Sequence, residues 1–382
     1  MPVTAVFVAL TALGMRVGEL WNSDRVVDFE MDHPGETLFL RKILQDNTNY
    51  KYKKLIKVKP DVVVLGSSRV MQFRQEMFGP ETGDGVSFYN GGGLSDTPLD
   101  MQNVLDLLPT DYKPKIIFIG LDSFEFGKHR PPGGGLKARI ENAESLSFIK
   151  NWKSYIYASR YLALDIIGNP ERFDDFWEHK EPVEGKTAIG ILALKGNGFR
   201  SDGSFQYGAY IFSHRLNSKF VDAEDPPIIE RIREGTGRFA ADSAFDEERA
   251  ATLKKFLISA KEKNIFVAGF APPYSSEAFG ELISSPHQNK LFNKFRKEVP
   301  AVFKEAGFPF FDFSDPSSFG INDQYMFDGF HPTETTAAVM LRSMLSDPRM
   351  KNAPLPDLKS MVKCLNSRLN SEFAKPFEIN WK

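Results

Sequence analysis

Short apolar runs alternate along this chain with stretches of helical periodicity. Residues 61–65, Asp-Val-Val-Val-Leu, form an unbroken run rich in β-branched side chains, which predicts a strand covered on both faces. A second run at 86–90 ends in Gly91, Gly92 and Gly93, and further runs at 115–120, 264–270 and 308–313 predict three more strands. Thr97 is placed to cap a helix reaching Leu108, with Leu99, Asn103, Leu105 and Leu108 near one face. Helices are also predicted over 247–263, 287–306 and 333–345. Strands alternating with helices of this length indicate right-handed crossovers, so the expected fold class is α/β, a three-layer α/β/α domain around a central parallel sheet.

Residues 125–245 interrupt that rhythm. They contain a Pro-Pro-Gly-Gly-Gly run at 131–135, an aromatic helical stretch at 152–164 and a glycine-rich, aromatic stretch at 196–208. Asp202-Gly203 predicts a two-residue hairpin turn. Such a loop-rich insertion is either a substrate lid over the carboxyl ends of the strands or an excursion packed on the sheet edge. After it, Leu358, Met361, Val362, Leu365, Leu369 and Phe373 recur at helical spacing, so residues 351–382 form a helical tail that docks on the body.

The beginning of the chain admits two readings. Residues 2–14 are apolar and uncharged and are followed by Met15, Arg16 and Val17. This is short of the roughly 20 residues a membrane-spanning helix needs, and no basic cluster precedes it. It reads as a truncated signal anchor over residues 1–20, or as a buried N-terminal helix. The polar stretch 21–59 resembles a juxtamembrane stalk, which favours the anchor and would place the main domain, residues 60–350, outside the cytoplasm.

Composition narrows the chemistry. Lys and Arg total 48 against 50 Asp and Glu, a net charge of −2, so there is no basic field for nucleic acid. Cys364 is the single cysteine, and the six histidines show no metal-ligand spacing. Neither a metal nor a cofactor is called for.

Two fragments carry the chemistry: Gly66-Ser67-Ser68-Arg69 after the first predicted strand, and Asp328-Gly329-Phe330-His331-Pro332 before the last predicted helix. Ser68 would emerge beside free backbone N–H groups, which favour an oxyanion. Asp328, three residues before His331, can accept from Nδ1–H and leave Nε2 to take a proton from a serine. Ser67 is the alternative nucleophile. Asp32-His33-Pro34 is a similar string lying before any strand of the sheet, and His33 reads as structural.

These fragments resemble the motifs of the SGNH, or GDSL-like, hydrolase superfamily over residues 60–345, which implies a flavodoxin-like sheet. The resemblance implies Ser68 as nucleophile, His331 as base and Asp328 as its orienting acid, with Gly92 chosen from the glycine run as an oxyanion donor. The third motif departs from pattern, because Asp122 stands where the family has an asparagine. An ionised Asp122 would repel an oxyanion. Either it is protonated, or a neighbour such as Arg69 neutralises it, or the hole uses backbone donors alone. The Gly-Ser-Ser-Arg variant is similar to membrane-associated relatives that handle envelope polymers. It implies a serine-dependent esterase or O-acyltransferase acting on an acylated carbohydrate or lipid, with a membrane acyltransferase as partner. The alternative is a non-catalytic envelope protein that keeps the fold to bind a glycan or such a partner.

Overall fold

The computed structural model describes residues 2–35, 37–42, 47–79, 86–130, 133, 135–144, 156, 160, 163–164, 167–168, 187–207, 227–240 and 244–371. Nine strands are present among them: β1 (Thr37–Phe39), β2 (Val62–Gly66), β3 (Phe88–Gly92), β4 (Ile116–Gly120), β5 (Thr187–Ile189), β6 (Gly198–Arg200), β7 (Phe205–Gln206), β8 (Phe266–Ala271) and β9 (Phe310–Asp312). The described helices are α1 (Pro2–Arg16), α2 (Ser23–Asp32), α3 (Thr48–Val58), α4 (Pro98–Leu107), α5 (Leu136–Glu144), α6 (Ile228–Glu234), α7 (Glu247–Glu262), α8 (Ser276–Ser284), α9 (Asn289–Ala306), α10 (Glu334–Ser346) and α11 (Leu358–Ser371). The chain divides into two compact units, one of residues 1–57, 138–213 and 380–382, the other of 58–137 and 214–379.

The larger unit holds a five-stranded sheet in the order β3-β2-β4-β8-β9, with every neighbouring pair parallel. Counted within the unit this is 2-1-3-4-5, a doubly wound order whose switch point lies at the carboxyl ends of β2 and β4. The pleat sends alternate residues to opposite faces. Val62, Val64, Ile116, Phe118, Ala268, Phe270 and Phe311 pack with Ala337, Leu341 and Met344 of α10 and Met361 and Leu365 of α11. Val63, Leu65, Ile117, Ile119 and Val267 alternate with them and are also buried. Helix α7 packs on α4, α9 and β8, and α9 packs on β9. The expected three-layer α/β/α arrangement with a parallel centre is therefore present. The terminal helix belongs to this core.

Two expected details shift. The second strand runs two residues further, through Gly91 and Gly92, because both stay in register with Leu65 and Gly66. Helix α4 is capped as expected by Thr97, whose Oγ1 accepts from Asp100 N at 3.2 Å. Its buried face, however, carries Met101, Val104 and Leu105, while Leu99 is 36% exposed.

The smaller unit corrects the stalk. Residues 21–59 fold as α2, β1 and α3, and β1 pairs in parallel with β5 and antiparallel with β6 in a sheet ordered β5-β1-β6-β7. The charges that suggested a stalk sit around an apolar interior of Val26, Val27, Leu38, Phe39, Tyr50 and Leu55. The buried Glu30 is held by Lys54 at 3.2 Å, by the Tyr50 hydroxyl at 2.9 Å and by Thr37 Oγ1 at 3.2 Å. At the start of the chain, Leu13 and Val17 pack with Leu38, Ile191 and Leu194. No helix among the described residues is long and apolar enough to cross a membrane.

The expected insertion is not one element. Its described residues at 138–207 belong to the smaller unit, and those at 125–137 and 227–245 to the larger. Most of the aromatic stretch at 152–164 lies outside the described residues. The hairpin forms between β6 and β7, but as a three-residue loop: Gly203 N donates to Arg200 O at 2.8 Å, and Arg200 N to Ser204 O at 2.8 Å. Gly203, at φ 78°, takes the left-handed position that such a bulged turn demands. His33 caps α2 locally, its Nδ1 2.9 Å from Phe29 O and its ring stacked on Phe29.

Gly66 ends β2 at φ 147°, and a Cβ there would lie 2.9 Å from Gly120 O and 3.0 Å from Val70 Cγ1. Gly66→Ala is expected to lower unfolding free energy by about 1–3 kcal/mol in urea titrations. A change below a few tenths would show that the turn relaxes freely.

Candidate active site

The apolar run of β2 delivers the Ser67–Ser68 turn to the switch point. Ser67 caps a single 3₁₀ turn, Ser68–Val70, its Oγ accepting from Arg69 N at 3.4 Å. The Asn90 amide donates to Val70 O and Phe73 O, both at 2.8 Å, which ties the chain leaving this turn to the end of β3.

The second fragment folds onto this turn. Ser68 Oγ lies 2.8 Å from His331 Nε2, and His331 Nδ1 lies 2.7 Å from Asp328 Oδ2. The other carboxylate oxygen, Oδ1, accepts from Phe330 N at 2.7 Å and His331 N at 2.6 Å. Burial works to raise the Asp328 carboxyl. The charge of His331 and the hydrogen bonds from its ring, its own N–H and that of Phe330 outweigh burial and hold the group below the ordinary carboxylate value. The loop itself is pinned, since Phe327 N donates to His331 O at 2.8 Å and Thr333 and Thr336 hydroxyls both donate to Tyr325 O.

Arg69 and Asp122 meet beneath the turn. Both are buried, and Arg69 Nη1 donates to Asp122 Oδ1. The rest of the guanidinium is fully used: Nε donates to Phe330 O at 2.9 Å, and Nη2 to Pro272 O at 3.0 Å and to Pro273 O. Its Cζ lies 4.1 Å from the centroid of the Tyr274 ring and 4.3 Å from that of Phe330. Ser67 Oγ donates to Asp122 Oδ2 at 3.1 Å. Of the three accounts of Asp122, the geometry supports neutralisation by Arg69. It also turns Ser67 to the carboxylate and leaves Ser68 on the imidazole.

Gly92 requires correction. Its N–H donates to Asn90 Oδ1 at 2.8 Å, and the next two N–H groups are also engaged, Gly93 with Gly66 O and Leu94 with Gly91 O. The Asn90 side chain folds back two residues onto its own strand end, so Gly92 does not present a donor to the cleft. Ser68 N–H, at the head of its 3₁₀ turn, has no partner within that turn and remains the donor beside the nucleophile.

Sequence reasoning missed Asn90 and Glu125. An asparagine closing a buried strand ahead of three glycines was the available signal for the first. Glu125 is fully buried after β4, and neither carboxyl oxygen has a hydrogen-bond partner. Burial, then the charges of Asp122 and Asp96, push its carboxyl well above the ordinary value. No group of three potential metal ligands exists among the described residues.

A scan of protein-family models gave no match to this chain, and a search of curated proteins gave none. Fold and site are thus defined by geometry: a doubly wound α/β unit with a Ser–His–Asp relay at its switch point.

Removing Arg69 would strand a buried carboxylate. Arg69→Leu is expected to cost about 3–5 kcal/mol in denaturant unfolding, and Asp122→Leu added to it to recover much of that loss. Additive losses in the pair would refute the coupling.

Proposed function

We propose that this protein is a serine-dependent esterase or O-acyltransferase of SGNH type, acting on an acylated carbohydrate or lipid of the cell envelope. The observation that carries the reading is the unbroken relay from Ser68 Oγ to His331 Nε2 at 2.8 Å and from His331 Nδ1 to Asp328 Oδ2 at 2.7 Å. The acylated substrate and envelope setting rest on the resemblance of the Gly66–Arg69 and Asp328–His331 fragments.

In this reading Ser68 Oγ attacks the acyl carbon as its proton passes to His331 Nε2. His331 then gives that proton to the departing alcohol, leaving an acyl-serine. Water or an acceptor hydroxyl next loses a proton to Nε2 and attacks the acyl-serine, which restores Ser68. Asp328 keeps the ring in the Nδ1–H tautomer and stabilises the imidazolium. The developing oxyanion faces Ser68 N–H.

One observation favours the second reading, a non-catalytic glycan- or partner-binding protein. Gly92 N–H is engaged by Asn90, and the side chain at the usual asparagine position is an ion-paired Asp122. Each absent oxyanion donor costs about 3 kcal/mol of barrier, so a catalyst built this way is slow on simple esters.

Labelling with a fluorophosphonate separates the two. The expected result is a single adduct on Ser68, abolished in Ser68→Ala and His331→Ala, with Asp328→Asn lowering short-chain ester turnover by about 10⁴-fold. Failure of the folded wild-type protein to form the adduct would favour the binding reading.

The pH dependence follows from the depressed Asp328 carboxyl. Its stabilising contribution is fully present above the ordinary carboxylate value of about 3.9 and is lost as pH falls through the lower folded value. Asp328→Asn should therefore flatten the acid limb of a stability–pH curve below about pH 4. An unchanged limb would contradict the assignment.

A further inference from the structure

Arginines of the larger unit differ in how their charge is met. Arg69, Arg233 and Arg249 each pair with carboxylates, with Asp122, with Glu277 and Glu281, and with Asp246. Arg130 and Arg238 form no ion pair with any described residue, and the buried Nε of Arg130 has no hydrogen-bond partner. Both guanidiniums instead converge on one aromatic ring. Arg130 Cζ lies 5.6 Å and Arg238 Cζ 5.4 Å from the centroid of Phe124, and Arg238 Cζ lies 4.8 Å from that of Phe330. Phe330 is the residue before the catalytic histidine, and the two rings are 5.1 Å apart.

This pairing is built into the backbone. His129 Nε2 lies 3.1 Å from Arg238 O, which ties the segment carrying Arg130 to the one carrying Arg238. Arg249 fixes the first segment further, donating to Glu125 O and to Arg130 O at 2.7 Å. The rings beneath are buried, Phe124 at 3% and Phe330 at 0% exposure, while both arginines stay partly open to solvent. Glu125 feels the charge of Arg130, but burial and the charges of Asp122 and Asp96 hold it toward its neutral form, so it does not cancel the guanidinium.

From this arrangement we infer that Arg130 and Arg238 form an anion subsite beside the relay, which binds a carboxylate or phosphate carried by the substrate. Two planar guanidiniums held over an apolar floor suit an anion with several acceptor oxygens, and the desolvated floor strengthens each charge-assisted hydrogen bond. The inference rests on Ser68 as nucleophile for its catalytic meaning, but anion binding itself does not.

Three fluorophosphonates that differ only in the tail, ending in a carboxylate, a phosphate monoester or a neutral amide, provide the test. The wild-type protein is expected to react at Ser68 about tenfold faster with one or both anionic tails than with the neutral one. Arg130→Gln combined with Arg238→Gln should erase that preference while leaving the neutral rate intact, which also shows that the variant is folded. The faster anionic tail distinguishes a uronate-like from a phosphorylated substrate. Equal rates for all tails, or a preference that survives the double substitution, overturns the subsite. Calorimetric titration with an oligogalacturonate and with glycerol phosphate gives a readout independent of Ser68. If no probe labels Ser68 but one of these anions binds and the double variant loses it, the subsite stands and the esterase reading falls. If the neutral probe labels Ser68 but neither anion binds, the reverse holds.

Discussion

The buried Arg69 guanidinium is the point on which the site depends. It joins four segments distant in sequence: its own turn after β2, Asp122 after β4, Pro272 and Pro273 after β8, and Phe330 beside His331. A charge held in so little water is tolerable only because every face is satisfied, by a carboxylate, three carbonyls and two aromatic rings. The same residue therefore sets the position of the Ser68 turn and of the loop that presents His331. Arginine suits this role where lysine would not, because its planar fork reaches several fixed acceptors at once.

That arrangement changes the meaning of Asp122. A carboxylate near a developing oxyanion is electrostatically adverse, yet here one oxygen is engaged by Arg69 and the other by Ser67. The pair carries no net charge toward the cleft, so the substitution that looked costly becomes a structural tie. Asn90 performs a related task on the neighbouring strand. By binding Val70 O, Phe73 O and Gly92 N it ties the chain after Ser68 to the end of β3 and engages the glycine donor. Gly92 N–H is accordingly engaged within the protein at this end of the sheet.

Much of the larger unit was legible in the sequence. Its five strands are apolar runs covered on both faces, and that pattern is local, so β2, β4 and β8 stand where the runs predict them. Ser68, Asp328 and His331 were legible because turn residues follow strands in order, and sheet topology brings the carboxyl ends together. The smaller unit was not. Its β1 is three residues long and pairs with β5, which lies far along the chain, and no periodicity within residues 21–59 announces a partner at 187–189. Charged residues there suggested solvent, but Glu30 and Lys54 are buried against each other. The engagement of Gly92 N–H was equally hidden, since it depends on one rotamer of Asn90 and not on spacing.

The relay unites the first strand of its unit with the loop that follows the last. A ribosome making this protein releases the Ser68 turn early and the Asp328–His331 loop only after nearly the whole unit has emerged. Until then the serine has no base within reach, and Arg69 lacks the proline and phenylalanine carbonyls that fix it. The three side chains are thereby kept apart in every unfinished chain, and their juxtaposition marks a unit whose sheet is complete.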